Sequence, residues 1–584
     1  LTLAADSLPA RAKTRLAAAA AFGRRQWTQA YTGLRSWLTI EPVLKPYTPD
    51  PKRWTHYVWR SLAMLTTIAF CFLYGAAFCM FAPGLLVVLL IPLGLIIALA
   101  IWALPDSRAA PVAQLGALFF CAQASTILWP NYLSVVIPGL PWISLTKLFI
   151  FPMDLALLIC VSTSVIYRKR LFDVFKNSRL VFWSIAGLFF VQTASIMISH
   201  NPFSSLSSLI IYNLSVTAAF VASVYIFSHE GSVQKWSRLI WVCAIIVCLI
   251  AIPESFVHHA LWYGHIPSFI QTSLESYSEG GDRGGNYRAE ATFDGSIQLA
   301  EFLSLSSAFI IHETLIARRW LLRAIGAGTM LLILVAAVLS GSRSGLVGLF
   351  AAPLLYSGVW IFRFWRRRRD SVMAAAGLFG FPAAAAFALC MTFVIPALKY
   401  RLWNNHSTGA STEARKIQWS MAIPKIAAHP WGYGASESGL TLGYIDGNGN
   451  LSVDSYPITL LIDYGVIGAA LWYAGFILTI FYAGRAAIES SEKEMSGEIS
   501  YLTPAAVALI NFLIIKSVFS QIDNHGLFYA VMGMALALLW RRAQVGAAQR
   551  VSSYAGAPVP LVSRRDRTRP LPAHARIDGR RSTA

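Results

Sequence analysis

Charge is what this sequence has little of. Asp, Glu, Lys and Arg supply 13% of its 584 residues, against 56% hydrophobic, where a soluble domain carries about 25% charged residues. A shortage on that scale excludes a water-soluble globular chain and implies repeated membrane crossings. Cysteine is sparse as well. Cys71, Cys79, Cys121, Cys160, Cys243, Cys248 and Cys390 all fall in apolar stretches, which argues against a disulfide scaffold and against a zinc site. No Gly-rich loop ends in a phosphate-binding Lys-Ser/Thr pair, and no His, Cys and Asp residues cluster at metal-ligand spacing. Nor is there an internal repeat of the kind a duplicated transporter fold shows.

What the sequence does have is apolar runs of spanning length. Candidate spans lie at residues 57–80, 84–104, 113–129, 147–167, 180–198, 207–228, 238–253, 294–313, 323–340, 345–363, 372–396, 456–484, 501–519 and 525–541. The expected fold class is an all-α polytopic membrane protein with about 12–14 transmembrane helices, since roughly 20 apolar residues cross a bilayer. The cations orient it. Arg168, Lys169, Arg170, Lys176 and Arg179; Lys235 and Arg238; Arg318, Arg319 and Arg323; Arg363 and Arg366 to Arg369; and the stretch from Arg541 onward, with ten Arg and no Lys, all fall on one side if the spans alternate. The positive-inside bias makes that side the cytoplasm, with both termini inside. The net charge of +20 then reflects membrane orientation, and no nucleic-acid partner is expected. Three domains are expected: a cytoplasmic segment at 1–54, mixed, Pro-punctuated and without a signal-peptide pattern; a polytopic membrane domain at 55–545; and a disordered basic tail at 546–584 near anionic lipid.

The same orientation places a medium loop (253–293), a large one (397–455) and the turn between Gly341 and Gly345 on the periplasmic face. Connections this long between membrane helices usually carry function. Three arginines stand there against the positive-inside bias: Arg288 in NYRAEATF, Arg343 in SGSRSG and Arg415 in STEARKIQW. Guanidinium groups bind phosphate in a planar, bidentate way that Lys does not match. Small neighbours such as Ser342 and Ser344 let phosphate oxygens approach, and Gly341 to Gly345 are expected to offer free backbone N–H groups at a helix start. The alternative for each arginine is snorkelling to headgroups or a surface ion pair.

At these motifs the chain resembles the O-antigen ligase and Wzy-type polysaccharide polymerase superfamily. The resemblance is carried by SGSRSG, by YRAEATFDGSIQLAEF and by HPWGYGASESG followed by VDSYPITLLIDYGVIGAALWY, over roughly residues 130–545. It implies a glycosyltransferase acting on an undecaprenyl-diphosphate-linked glycan at the outer face of the bacterial inner membrane, without metal or other cofactor. A diphosphate leaving group needs cations more than a general acid, a role that Arg288 and Arg343 are expected to fill, with Arg415, Arg283 and Lys416 among the substrate-binding residues. Ligases of the family commonly carry His where this chain has Asp454. That difference favours a polymerase in which Asp454 takes the acceptor hydroxyl's proton; the alternative makes Asp454 a helix N-cap. Ser342, Ser344, Tyr456 and Glu437 complete the expected substrate contacts. Lipid-linked oligosaccharide, membrane lipids, a chain-length regulator and export proteins are the expected partners. Two other readings stay open: a ligase transferring finished glycan to an acceptor such as lipid A core, and a transporter or flippase. The last needs ionisable residues within the membrane, for which Asp154, Glu301 and Lys516 look too scattered along the chain. His429 and His525 read as structural residues in a turn and at a helix start, and Trp419, Trp431 and Tyr433 as interfacial aromatics.

Overall fold

The computed structural model describes residues 111–554 apart from 129–135, 138–139, 164, 262–286, 294, 397–405, 446–448, 450, 492–496 and 518–523. The expected spans at 57–80 and 84–104, the N-terminal segment, the tail beyond 554 and Arg283 lie outside those residues. By internal contacts the chain divides into one unit of residues 1–48 with 543–584 and a second of 49–542. In the first, only the end of the last helix is described; all that follows concerns the second.

Helices run in the order α1 (Pro111–Leu128), α2 (Leu145–Thr163), α3 (Val165–Asn177), α4 (Arg179–Ser195), α5 (Pro202–Phe227), α6 (Ser232–Val257), α7 (Ser296–Ile316), α8 (Trp320–Leu339), α9 (Arg343–Arg367), α10 (Val372–Val394), α11 (His406–Ala428), α12 (Ser438–Leu442), α13 (Tyr456–Glu489), α14 (Leu502–Lys516) and α15 (His525–Tyr554). A two-stranded antiparallel hairpin, β1 (Val136–Ile137) and β2 (Leu140–Ser144), joins α1 to α2. Among the described residues seven helices are long and apolar enough to cross a membrane, and four shorter apolar helices accompany them. The chain is an all-α, multi-pass membrane protein.

The sorting of helix ends expected from the charges is present. At one end Arg541 bonds Glu498 at 2.6 Å, Arg170 lies 4.5 Å over the Trp540 ring, and Arg363 and Arg367 reach the carbonyl of Ser490. Arg288, Arg343 and Asp454 belong to the opposite end.

Helices α7 and α14 form the centre. Each has 78% of its apolar stretch buried, against 28% for α8 and α9, so polar side chains on α7 and α14 are shielded from lipid. Ser306 and Ser307 of α7 bond carbonyls of their own helix, the usual way a small hydroxyl is satisfied away from water. Small residues bring α9 against this centre. A Cβ on Gly345 would fall 2.1 Å from the Cβ of Ala300, and one on Gly348 would fall 2.4 Å from Ser304 Oγ, so only glycine permits this approach.

Two features add to the expectations. The large loop is not a plain connection between spans: it contains the 23-residue helix α11 and the short α12. These pack with the outer turns of α13 around Ala422, Leu442, Ile458 and Ile462, with Trp419 and Tyr433 against them. The expected span 456–484 is not one straight helix either. Gly465 has φ 68° and ψ −174°, which breaks the 34-residue α13 near its first third. At about 1.5 Å per residue the whole element would be about 50 Å long, well beyond a hydrocarbon core of about 30 Å. The part after Gly465 is long enough to cross alone, and the turns before it pack with α11 and α12.

Candidate active site

The segment 287–293 is a strap across three helix ends, and nearly every residue of NYRAEATF has a task. Glu254 at the end of α6 accepts hydrogen bonds from Tyr287 Oη (2.7 Å), Glu290 N (3.0 Å) and Ala291 N (2.7 Å). Burial and the adjacent Glu254 carboxylate push the Tyr287 phenol above its ordinary range. Thr292 Oγ1 donates to Ile127 O at the end of α1 (2.6 Å), and Ala289 N donates to Leu339 O at the end of α8 (3.2 Å). Ala291 is held at φ 51°, a left-handed conformation uncommon for alanine. The effect of this bonding is to seat Arg288, whose Nε donates to Ser340 O at 3.0 Å.

That carbonyl begins the SGSRSG turn. Gly341 has φ 62°, and a Cβ there would lie 3.1 Å from Arg288 Nε. Ser342 is the N-cap of α9, its Oγ accepting from Gly345 N at 3.3 Å and lying 3.2 Å from Ser344 Oγ. Of the N–H groups in this turn, those of Gly341, Ser342 and Gly345 are engaged: Gly341 N bonds Val338 O, Ser342 N bonds Ser340 Oγ and Gly345 N bonds Ser342 Oγ. A helix start of this sequence folds partly onto its own serines, and it presents one long cationic side chain. That side chain is Arg343, the first residue of α9.

Arg343 and Arg415 lie close enough for their charges to repel each other. Arg415 sits on α11 with its Nε enclosed and making no hydrogen bond among the described residues. One helical turn further, Gln418 is fully buried and its Oε1 accepts from the backbone N of Asp454 at 2.9 Å. Positions three apart share a helix face, so α11 presents Arg415 and the support of Asp454 on one side. The N-cap reading of Asp454 is corrected, because the N-cap of α13 is Ser455. The Asp454 carboxylate precedes the helix, half-buried, with Ser452 Oγ donating to it at 3.3 Å. Arg288, Arg343, Arg415 and Asp454 are thus gathered at one end of the bundle from the strap, α9, α11 and the start of α13.

Other expected contacts are not brought to this group. Lys416 is 72% exposed and pairs with Glu413 at 3.8 Å, on a different face of α11 from Arg415. Glu437 is buried and accepts from Ser199 Oγ (2.6 Å) and Asn201 N (3.1 Å), so it ties its loop to the α4–α5 turn. Tyr456 is buried against Trp472 and His525, with ring centroids 5.1 and 4.9 Å away. His525 is itself enclosed, its Nδ1 2.6 Å from Tyr212 Oη.

The loop 429–439 docks into the break of α13 through main-chain atoms. Tyr433 N donates to Ile462 O (2.7 Å), Gly434 N to Asp463 O (3.1 Å) and Val466 N to Pro430 O (2.8 Å). The Asp463 carboxylate accepts from Ser438 N (2.7 Å) and Ser436 N (3.2 Å). Asp463, Gln418 and Glu254 were invisible as site-building residues in the sequence. A usable signal existed for Asp463: it stands with Gly465 in an apolar run longer than one crossing needs. A Cβ on Gly465 would lie 2.3 Å from Pro430 O, and its backbone angles are in a region nearly restricted to glycine. Gly465→Ala is therefore expected to release the loop and cost about 3 kcal/mol or more, measured as a lowered Tm and faster proteolysis within 429–455.

Among curated proteins none matches this chain. Residues 328–473, about a quarter of the chain, match the family model described as O-antigen ligase. The matched segment holds the SGSRSG turn, Arg343, Arg415, Gln418, Asp454 and the docked loop with its helix break. Through that segment the chain is similar to the O-antigen ligase family.

Proposed function

We propose that the chain is a polysaccharide polymerase that moves a growing glycan from an undecaprenyl-diphosphate carrier to a hydroxyl of a second lipid-linked repeat unit, at the periplasmic face of the bacterial inner membrane. The observation that carries this reading is the convergence of like charges. Arg343 and Arg415 repel each other, and Arg288 is fastened to the turn that bears Arg343. Such a group attracts an anion, and a diphosphate leaving group is an anion of the right shape for guanidinium forks.

In the proposed step the acceptor hydroxyl oxygen attacks the anomeric carbon of the donor sugar. The bond from that carbon to the carrier diphosphate breaks, its electron pair leaves with the diphosphate, and the hydroxyl proton passes to Asp454. The arginines stabilise the charge that grows on the leaving group.

A second reading has support of its own: the matched family is described as a ligase. Asp454, at the position where the ligases carry His, favours polymerisation. The purified chain in vesicles, given polyprenyl-diphosphate-linked repeat units alone, is expected to produce a ladder of longer lipid-linked chains. Absence of a ladder, with transfer appearing only when lipid A core is supplied, would overturn the polymerase in favour of the ligase.

A further inference from the structure

Glu301 of α7 and Lys516 of α14 form an ion pair at 3.1 Å with side chains 0% and 1% exposed. The two residues are 215 positions apart in sequence, and the expectation that they are scattered is thereby corrected. Asn524 closes the group, its Nδ2 donating to Glu301 Oε2 at 3.0 Å and to Gln298 O at 2.9 Å. Lys516 Nζ also lies 5.4 Å from the Phe512 ring centroid and 5.9 Å from that of Tyr456.

Stability alone is a poor reason for such a pair. Desolvating two charges roughly cancels their attraction, and apolar replacement of both partners is commonly neutral or stabilising. Its neighbours suggest another role. Glu301 follows Ala300, the residue on which Gly345 rests, and Gly345 closes the turn that presents Arg343. Lys516 precedes Ser517, whose carbonyl accepts from Ser455 Oγ at 3.3 Å, and Ser455 follows Asp454. A continuous set of contacts therefore runs from the Arg343 turn through Ala300 and Glu301, across the ion pair to Lys516 and Ser517, and on to Ser455 and Asp454.

We propose that Glu301 and Lys516 are positioning residues that fix the separation between the arginine serving the leaving group and the carboxylate serving the acceptor. The inference rests on the transferase reading above. A charged pair with a third hydrogen-bonded partner has one preferred geometry, whereas an apolar contact permits sliding. A misplacement of about 1 Å between reacting groups can cost about 100-fold in rate.

The test uses the full chain in vesicles with polyprenyl-diphosphate-linked repeat units. Glu301→Gln and Lys516→Met, each leaving one buried charge unpaired, are expected to lower the amount of folded protein. The double variant Glu301→Leu with Lys516→Met is expected to restore folded protein and Tm, keep KM for the lipid-linked donor within about 2-fold, and leave kcat about 10- to 100-fold down. Wild-type kcat in the double variant would overturn the proposal, because a purely structural pair is replaceable. So would a rise in KM that accounts for the whole loss. If the double variant does not fold, Glu301→Asp decides, since it keeps the charge and shortens the reach by one methylene: a lowered kcat at unchanged KM supports positioning, and wild-type kcat overturns it. Failure of the wild-type chain itself to extend the lipid-linked repeats would instead remove the transferase reading on which the inference stands.

Discussion

Arg343→Lys is expected to abolish long-chain polymer while single lipid-linked repeat units persist. The substitution keeps the positive charge and removes the planar fork, so it separates geometry from electrostatics. The backbone of the turn is held by Ser340, Ser342 and the N–H bonds of Gly341, Gly345 and Leu346, none of which involves the Arg343 side chain, so folded protein is expected at wild-type amounts. Loss of one preorganised donor to a developing oxyanion typically costs about 3–4 kcal/mol, or about 100- to 1,000-fold in rate. Glycan extracted from membranes and resolved by chain length, with the variant's membrane level measured alongside, checks this. Normal chain length would remove Arg343 from the chemistry. Long chains accumulating on the carrier would indicate a ligase, and repeats confined to the cytoplasmic leaflet a transporter.

The second large effect is expected at Asp454. Asp454→Asn preserves size and the hydrogen bond from the backbone N to Gln418, but it removes the carboxylate proposed to accept the proton. General-base loss lowers turnover by about 100- to 10,000-fold, and donor affinity should change little because the arginines are intact. Single-turnover transfer and binding of labelled lipid-linked repeat units separate the two quantities. An active Asp454→Asn variant would reduce the residue to an anchor for Ser452, the partner its carboxylate has in the structure.

The bundle was legible because lipid imposes a coarse rule. Every described span from 113 onward is a run of apolar residues long enough to satisfy its own backbone, and the cations of Arg170, Arg363, Arg367 and Arg541 sort to one end as charge placement requires. Arg288, Arg343 and Arg415 could be singled out for the converse reason, since each breaks that rule. The polar contacts that arrange them were not legible. Glu437 reads as a loop carboxylate until Ser199 and Asn201, 238 and 236 positions away, are brought beside it. Helix α11 was missed because it is polar, contains Pro424 and has no sustained apolar face. Glu301 and Lys516 each look like a costly oddity in an apolar run, and only the packing of α7 on α14 makes them one unit.

The docking of 429–439 has a consequence for how readily this protein changes its preferences. The loop is seated by amide and carbonyl groups of Pro430, Tyr433, Gly434 and Val466, by the Asp463 carboxylate, and by the close fit of Gly465. None of these bonds consults the side chain of Trp431, which is 59% exposed, or of Leu440, which is 62% exposed. Provided the glycines and Asp463 stay, such outward residues are free to drift without unseating the loop. A scaffold fastened by its main chain is one whose surface chemistry can diversify at small cost in folding.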